Sequence, residues 1–529
     1  MSFKYLHVVS EGVYWLDHRL VPEVRGMLAA QSSRAPVGGV RARYGQVVEA
    51  VAIDLFEKGN PYPENTWGSA DRDFFRSKGV GCAEDRLCEY PLHPKVQKFF
   101  DDFVGKYGHS SILELVGSPT VFSEGVSWFT SWLLFDSPLC AGQEFSTRAV
   151  QHKDWPMARE CYHKQYITGM FVGQPPQEGQ KYGAPYAGSL PPLPDVSNPD
   201  IATLHADWFA VFEAEVAWWK DHLSVEVNRA ALGIGDKEPF RPALDRARWA
   251  LPGTIATGCA HATNLRERSR VLRDGSVLAQ MSKCPSAESV WKDIARAYKE
   301  ALPGMAGMGL REAVYGDDSP IPGHLRDVFS DAPDGPDAEV ELVCTDGLHD
   351  VAPFTRKGEK SYADPLANTL FRVNVTLRCS LAVARDWHRH RTMYPWHLQI
   401  VRTDGPDIAR VLPSPGTIQI DHHYTPMSDV AKALVPELLR RSTAVFDACM
   451  ERGNVVQAAL ALPLGTRVRM RGQGGLRDAV YMLELRKYAS GANFEYVDQA
   501  GQALRALRER RALPLQDWTR VTTLLGPIR

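Results

Sequence analysis

The chain of 529 residues has a net charge of −2, with 44% hydrophobic and 23% charged residues, 42 glycines and 36 prolines. That length suggests about three domains or two large ones, enough to bury a core without disulfide or metal support, and the near-neutral balance argues against a protein that coats nucleic acid by charge alone. Nine scattered cysteines with no C-x-x-C pair fit reduced thiols in a cytoplasmic protein. The N-terminal Met-Ser-Phe-Lys-Tyr-Leu-His does not read as a secretory signal, and no run approaches about 18 apolar residues, so no membrane partner is expected.

In chain order, residues 123–135 (SEGVSWFTSWLLF) predict a helix opening on a Ser cap, with Val126, Phe129, Trp132 and Leu133 at helical spacing. Residues 173–200, from Pro175 and Pro176 to Pro199, predict a long loop or lid, because Pro removes donors and fixes φ. Residues 204–231 predict the strongest helix, and its stripe of Trp208, Phe212, Val216 and Trp219 reads as core rather than a cofactor box. Residues 317–337, rich in Asp, Pro and Gly, predict a linker between a first domain (1–316) and a second (338–529). Short β-like runs (Glu339–Cys344, Leu370–Leu377, Arg467–Met470) and helices over 431–450 and 476–488 complete an α+β chain, with helices packed on a sheet in each half.

The halves echo each other. Leu251-Pro252-Gly253-Thr254 is followed by NLRERSRVLR, and Leu462-Pro463-Leu464-Gly465-Thr466 by GLRDAVYMLELR. The offset between halves is 253 at Ser111/Asp364 and Asp136/Arg389, and falls to 211 at the Leu-Pro motif, a difference that the Pro-rich loop absorbs. The sequence reads as a diverged internal duplication.

Three clusters carry candidate chemistry. His109, Ser111 and Glu114 are followed by Glu144, Ser146 and Arg148, which share one face if extended and give an acceptor, a hydroxyl and a fixed cation suited to ribose or phosphate. His388-Arg389-His390-Arg391 follows a helix, and its guanidinium forks suit a diphosphate. Arg477 and Arg486 pair with Arg266 and Arg273 of the first half. The bland alternatives are a solvated basic turn, surface ion pairs and a charged helical face.

These residues resemble the flavin-dependent thymidylate synthases, whose long motif reads R-H-R-x-x-S-x-N-E-x-S-x-R-Y. The first half matches the upstream piece at His109, Ser111 and Glu114, and the back of the long motif at Glu144, Ser146 and Arg148. The second half keeps the front as Arg389-His390-Arg391 and loses the back. The erosion is complementary, so one complete composite site is expected from the two halves.

The resemblance implies two tandem domains, each a curved sheet flanked by helices, that mimic a dimer; a homodimer would then form a pseudo-tetramer. It implies C5 methylation of a pyrimidine 5′-monophosphate, dUMP first, with FAD as cofactor and methylenetetrahydrofolate and NADPH as co-substrates. Arg486 would activate the ring as a fixed cation. Glu144, Ser146, Arg148, Arg248, Asp386 and Arg389 would bind substrate. His109, Ser111, Arg389, His390 and Arg391, with Asn264, Arg266 and Arg477, would hold the flavin. No metal is expected. The family has Gln where Asp386 stands, which opens a different pyrimidine, a ribonucleotide or hydroxymethylation; Gly475 replaces its Asn. A non-catalytic flavin- or nucleotide-binding relative is the competing class, and an enzyme acting on a base in a polynucleotide the third.

Overall fold

The computed structural model describes residues 3–10, 12–32, 39–58, 84–90, 92–106, 112, 115, 120–144, 157–161, 198–234, 240–263, 285–301, 329–344, 371–402, 416–488 and 493–509. The fold is mixed α+β, and the strands form two five-stranded sheets. The first contains β1 (Leu6–Ser10), β2 (Val13–Leu16), β3 (Thr120–Val126), β4 (Cys140–Glu144) and β5 (Thr257–Thr263), ordered β1-β2-β3-β5-β4 with every neighbour antiparallel. The second contains β6 (Asp331–Ala332), β7 (Ala338–Cys344), β8 (Phe371–Ser380), β9 (His397–Val401) and β10 (Arg467–Gly475), ordered β6-β9-β10-β8-β7. Only its β6–β9 edge is parallel. Four strands of each sheet follow one order, β2-β3-β5-β4 in the first and β7-β8-β10-β9 in the second.

The helices that matter below are α1 (Pro22–Ser32), α2 (Gly39–Lys58), α3 (Pro94–Phe100), α4 (Trp128–Phe135), α5 (Pro199–Ser224), α6 (Glu226–Ala231), α7 (Phe240–Ala247) and α8 (Pro285–Ala301). They continue as α9 (Leu381–His388), α10 (Asp429–Glu451), α11 (Val455–Ala461), α12 (Leu476–Tyr488) and α13 (Phe494–Glu509). Among the described residues, no helix is long and apolar enough to cross a membrane.

Strand alternation explains where the cores lie. Val121, Trp15 and Cys259 point into a large core, while Phe122, Tyr14 and Ala260 point into a smaller one completed by Met27 and Leu28 of α1 and Val47, Val48 and Val51 of α2. The large core runs on through Val373, Val375, Leu377 and Cys379 of β8 and Leu398 and Ile400 of β9, so both halves share it.

Strands β3 and β8 lead into helices α4 and α9 by the same device. Ser127 follows β3 directly and caps α4, its hydroxyl accepting from the Thr130 amide at 3.1 Å; Ser380 ends β8 and caps α9, accepting from the Val383 amide at 3.3 Å. Each cap contributes about 1 kcal/mol. A buried carboxylate holds each serine: Glu160 accepts from the Ser127 amide and hydroxyl, and Glu495 from those of Ser380.

Several expectations need correction. Residues 123–126 are strand, so the helix expected over 123–135 begins at Trp128, with Ser127 rather than Ser123 as its cap. Thr120–Val126 is buried on both faces and so lacks the alternation that marks a strand. Pro199 lies outside any loop: it opens α5 at the first helical turn, where its missing N–H costs nothing, with Asn198 as cap. The helix expected over 204–231 breaks at Val225 into α5 and α6.

The end of the expected linker belongs to the second sheet. Phe329 is buried, Asp331–Ala332 forms β6, and Asp334 and Asp337 pair with Arg467 at 3.0 and 2.9 Å. Strand β10 extends through Gly472 and Gly474, where a side chain would meet Trp396 and Met393.

Candidate functional site

Helix α9 and its C-cap Arg389 supply the middle of a polar network between the halves. Arg385 of the helix donates from Nε to Glu144 Oε2 at 3.3 Å, and its Nη2 pairs with the other carboxylate oxygen. Glu144 closes β4 of the first half and is 4% exposed. One turn on, Arg389 brings Nη2 to 3.7 Å from Glu144 Oε2 and 4.0 Å from Asp386 Oδ1. Positions 385 and 389 are helical neighbours, so both forks converge on one carboxylate.

Arg248 enters from the short helical turn Arg248–Ala250 of the first half, before the Leu-Pro motif. Its Nη1 lies 3.2 Å from Asp386 Oδ2 and its Nε 3.6 Å from Asp245 Oδ1, and the residue is 1% exposed. Burial works against its charge, but Tyr424, Asp386, Asp245 and Glu495 around it outweigh that and keep the guanidinium protonated.

Arg486 sits in the last turn of α12. Its Nε donates to His390 Nε2 at 2.9 Å, its Nη2 donates to the Asp386 carbonyl at 2.7 Å, and its guanidinium lies 5.1 Å from the Tyr496 ring centre. An arginine only donates, so His390 accepts at Nε2 and the neutral ring carries its proton on Nδ1. Burial and the adjacent Arg486 hold the His390 pKa well below the usual histidine range. Burial pushes the Arg391 guanidinium down to about 10.

Glu144 and Arg248 of the first half thus meet Asp386, Arg389, His390 and Arg486 of the second in one connected network. His109, Ser111, Ser146, Arg148, Asn264 and Arg266 lie outside the described residues. Arg477 occupies the second position of α12, and its side chain also lies outside the description. Asp136, expected as the eroded counterpart of Arg389, brings Oδ1 to 3.5 Å from His388 Nε2, and His388 stacks on Trp132 with ring centres 3.8 Å apart.

Sequence reasoning missed Arg385, Asp245 and Tyr424. Arg385 was legible from helical spacing, since it stands one turn before Arg389. Asp245 was likewise legible, since it stands three residues before Arg248. Tyr424 reaches Arg248 by tertiary packing, and no spacing marks it.

A second polar cluster surrounds Arg467, which pairs with Asp334, Asp337 and Asp421 and whose Nη1 lies 3.0 Å from His422 Nδ1. Asp337, His422 and His423, and also Asp421, His423 and Glu495, bring ligand-type atoms within 4.8 Å of one another. The Arg467 guanidinium already pairs with Asp337 and Asp421 of these sets, as in a structural ion cluster.

No protein-family model matches the chain. No curated protein matches it either. Among solved structures it shares a likeness with a UMP/dUMP methylase PolB from Streptomyces cacaoi bound with 5-Br UMP, at 17% identity and a TM-score of 0.22, covering 38% of this chain and 99% of that one. At that level the likeness decides neither fold nor activity.

Proposed function

We propose that the chain is a diverged tandem duplication of the flavin-dependent thymidylate synthase type and transfers a one-carbon unit to C5 of a pyrimidine 5′-monophosphate, with dUMP the first candidate. One observation carries the reading. Glu144 and Arg248 come from the half that keeps the back of the motif, Asp386, Arg389 and Arg486 from the half that keeps the front, and all five lie in one network. Random packing of two eroded motifs has no reason to bring the surviving pieces together. The common strand order of the two sheets supports the duplication.

The residues suit the chemistry. C5 of uracil is a weak nucleophile, and a fixed cation at the ring's oxygens draws charge onto it; Arg486 would supply that cation, with His390 and the Asp386 carbonyl fixing its fork. Arg389 is half-buried, and its Nε has no hydrogen-bond partner among the described residues. With Arg391 it offers two cationic forks that fit the diphosphate of FAD. Bound there, FAD would supply a hydride after reduction by NADPH, while methylenetetrahydrofolate supplies the carbon and the C5 proton leaves. Two chains would assemble the pseudo-tetramer.

Mass spectrometry of dUMP, UMP and dCMP incubated with the protein, FAD, NADPH and methylenetetrahydrofolate tests the proposal. A one-carbon gain on one of them is expected. Folded protein that binds FAD but modifies none of them would make it a binding relative instead.

A further inference from the structure

Arg248 and Asp386 belong to opposite halves, and their pair closes the centre of the network. Arg248 is 1% exposed, its Nη1 is taken by Asp386 at 3.2 Å, and its Nε faces Asp245 at 3.6 Å. Its Nη2 has no hydrogen-bond partner among the described residues. The other oxygen of Asp386 reaches Arg389 at 4.0 Å. One carboxylate therefore touches two guanidiniums, each with the fork geometry that binds an oxyanion.

A carboxylate accepts hydrogen bonds and donates none, so Asp386 repels an incoming anion while occupying the donors the anion needs. Arg248, Arg385, Arg389 and Arg486 stand against Asp245, Asp386 and Glu144, which leaves one positive charge in excess among these side chains.

Resting on the proposed substrate, a pyrimidine 5′-monophosphate whose phosphate Arg248 would receive, we propose that Asp386 is an electrostatic latch that sets the site's specificity: it holds Arg248 until a 5′-phosphate displaces it, and so weakens phosphorylated ligands selectively. An amide at this position keeps an acceptor for Arg248, loses the charge and gains a donor for the phosphate. The latch makes Asp386 a specificity residue through charge rather than shape.

Isothermal titration of the full chain with dUMP and with deoxyuridine tests this on the wild type, Asp386→Asn, Asp386→Gln and Asp386→Glu. Asp386→Asn should bind dUMP about tenfold more tightly, with deoxyuridine changed less than about twofold, a gap that corresponds to loss of one like-charge contact. Asp386→Gln, a second neutral variant should the first fold poorly, should show the same gain. Asp386→Glu, which retains the charge, should stay near wild type. If the neutral variants bind dUMP no better, or gain equally for deoxyuridine, the latch is wrong while the nucleotide site stands. If no protein binds either ligand, the nucleotide reading fails and the latch with it.

Discussion

The amide of Leu464 donates to the carbonyl of Leu251 at 2.8 Å, so the Leu-Pro turns of the two halves hydrogen-bond to each other. Beside it, the Gly465 amide donates to Trp249 O at 2.6 Å. The backbones come this close because both turns carry glycine. A Cβ on Gly465 would lie 2.7 Å from the Trp249 carbonyl oxygen, and one on Gly253 would collide with that of Leu462. The same contact sets Arg248, the residue before Trp249, against Asp386 of α9.

Gly465→Ala should therefore destabilise the chain by about 1–3 kcal/mol, since backbone atoms cannot swing away as a side chain would. Gly501→Ala is the contrast. It lies in α13, where a Cβ would meet the flexible ends of Lys487 at 3.0 Å and Arg505 at 3.7 Å, and it should be neutral or stabilising by up to about 1 kcal/mol. Urea midpoints for the two variants measure this. Equal midpoints would show that the turns are not in tight contact.

Glu144 and Arg385 form a buried pair between halves. Glu144→Leu leaves Arg385 enclosed without its partner and should cost about 3–5 kcal/mol; Glu144→Leu with Arg385→Leu should recover most of that loss. A double-mutant cycle on unfolding free energy reads the coupling. Additive losses would mean that the pair is not formed.

Part of this was legible in the sequence, for physical reasons that particular residues make plain. Glu144, Asp386, Arg389 and Arg486 stood out because charged side chains at fixed spacing leave a signal that motif reading can use. The start of α4 did not, because Thr120–Val126 is buried on both faces and its apolar run merges with the helix that follows. Asp334 and Asp337 looked like linker residues because composition cannot distinguish a solvated acid from one that neutralises Arg467. The expected run stopped at Met470, whereas β10 continues through glycines, residues that ordinarily weaken a strand interior but here let Trp396 and Met393 pack upon it.

Glu124 gives a pH signature independent of the network. Burial raises its pKa from 4.5 to about 7, against the opposing hydrogen bond from the Val40 amide at 3.0 Å. The folded state thus keeps a proton that the unfolded chain releases. The stability this gives is fully present below about 4.5 and is lost as pH rises through 7. Glu124→Gln keeps the acceptor for Val40 and removes the titration. Its stability relative to wild type should rise by up to about 3 kcal/mol between pH 4.5 and 8. Chemical denaturation at the two pH values measures the difference. A gap that stays constant with pH would mean that Glu124 titrates normally.

The composite network also predicts how inactive variants combine. Glu144 and Arg486 lie in different halves but reach the same Asp386–Arg389 segment within one chain. Losing a charged hydrogen bond costs about 1.5–3 kcal/mol, so Glu144→Gln and Arg486→Ala should each reduce kcat/KM at least about tenfold. On the proposed C5 chemistry Arg486→Ala should act mainly on kcat, because its charge would matter most once the ring becomes anionic. Mixing the two variants should restore nothing, since neither chain then holds an intact network. Restored activity would place the working site between chains. Under the proposed duplication Asp136 is the eroded counterpart of Arg389, so Asp136→Asn, which keeps an acceptor facing His388, should leave turnover within about twofold of wild type, a change of less than about 0.5 kcal/mol in the barrier. The one-site arrangement does not survive if Asp136→Asn abolishes turnover while Arg486→Ala leaves it intact.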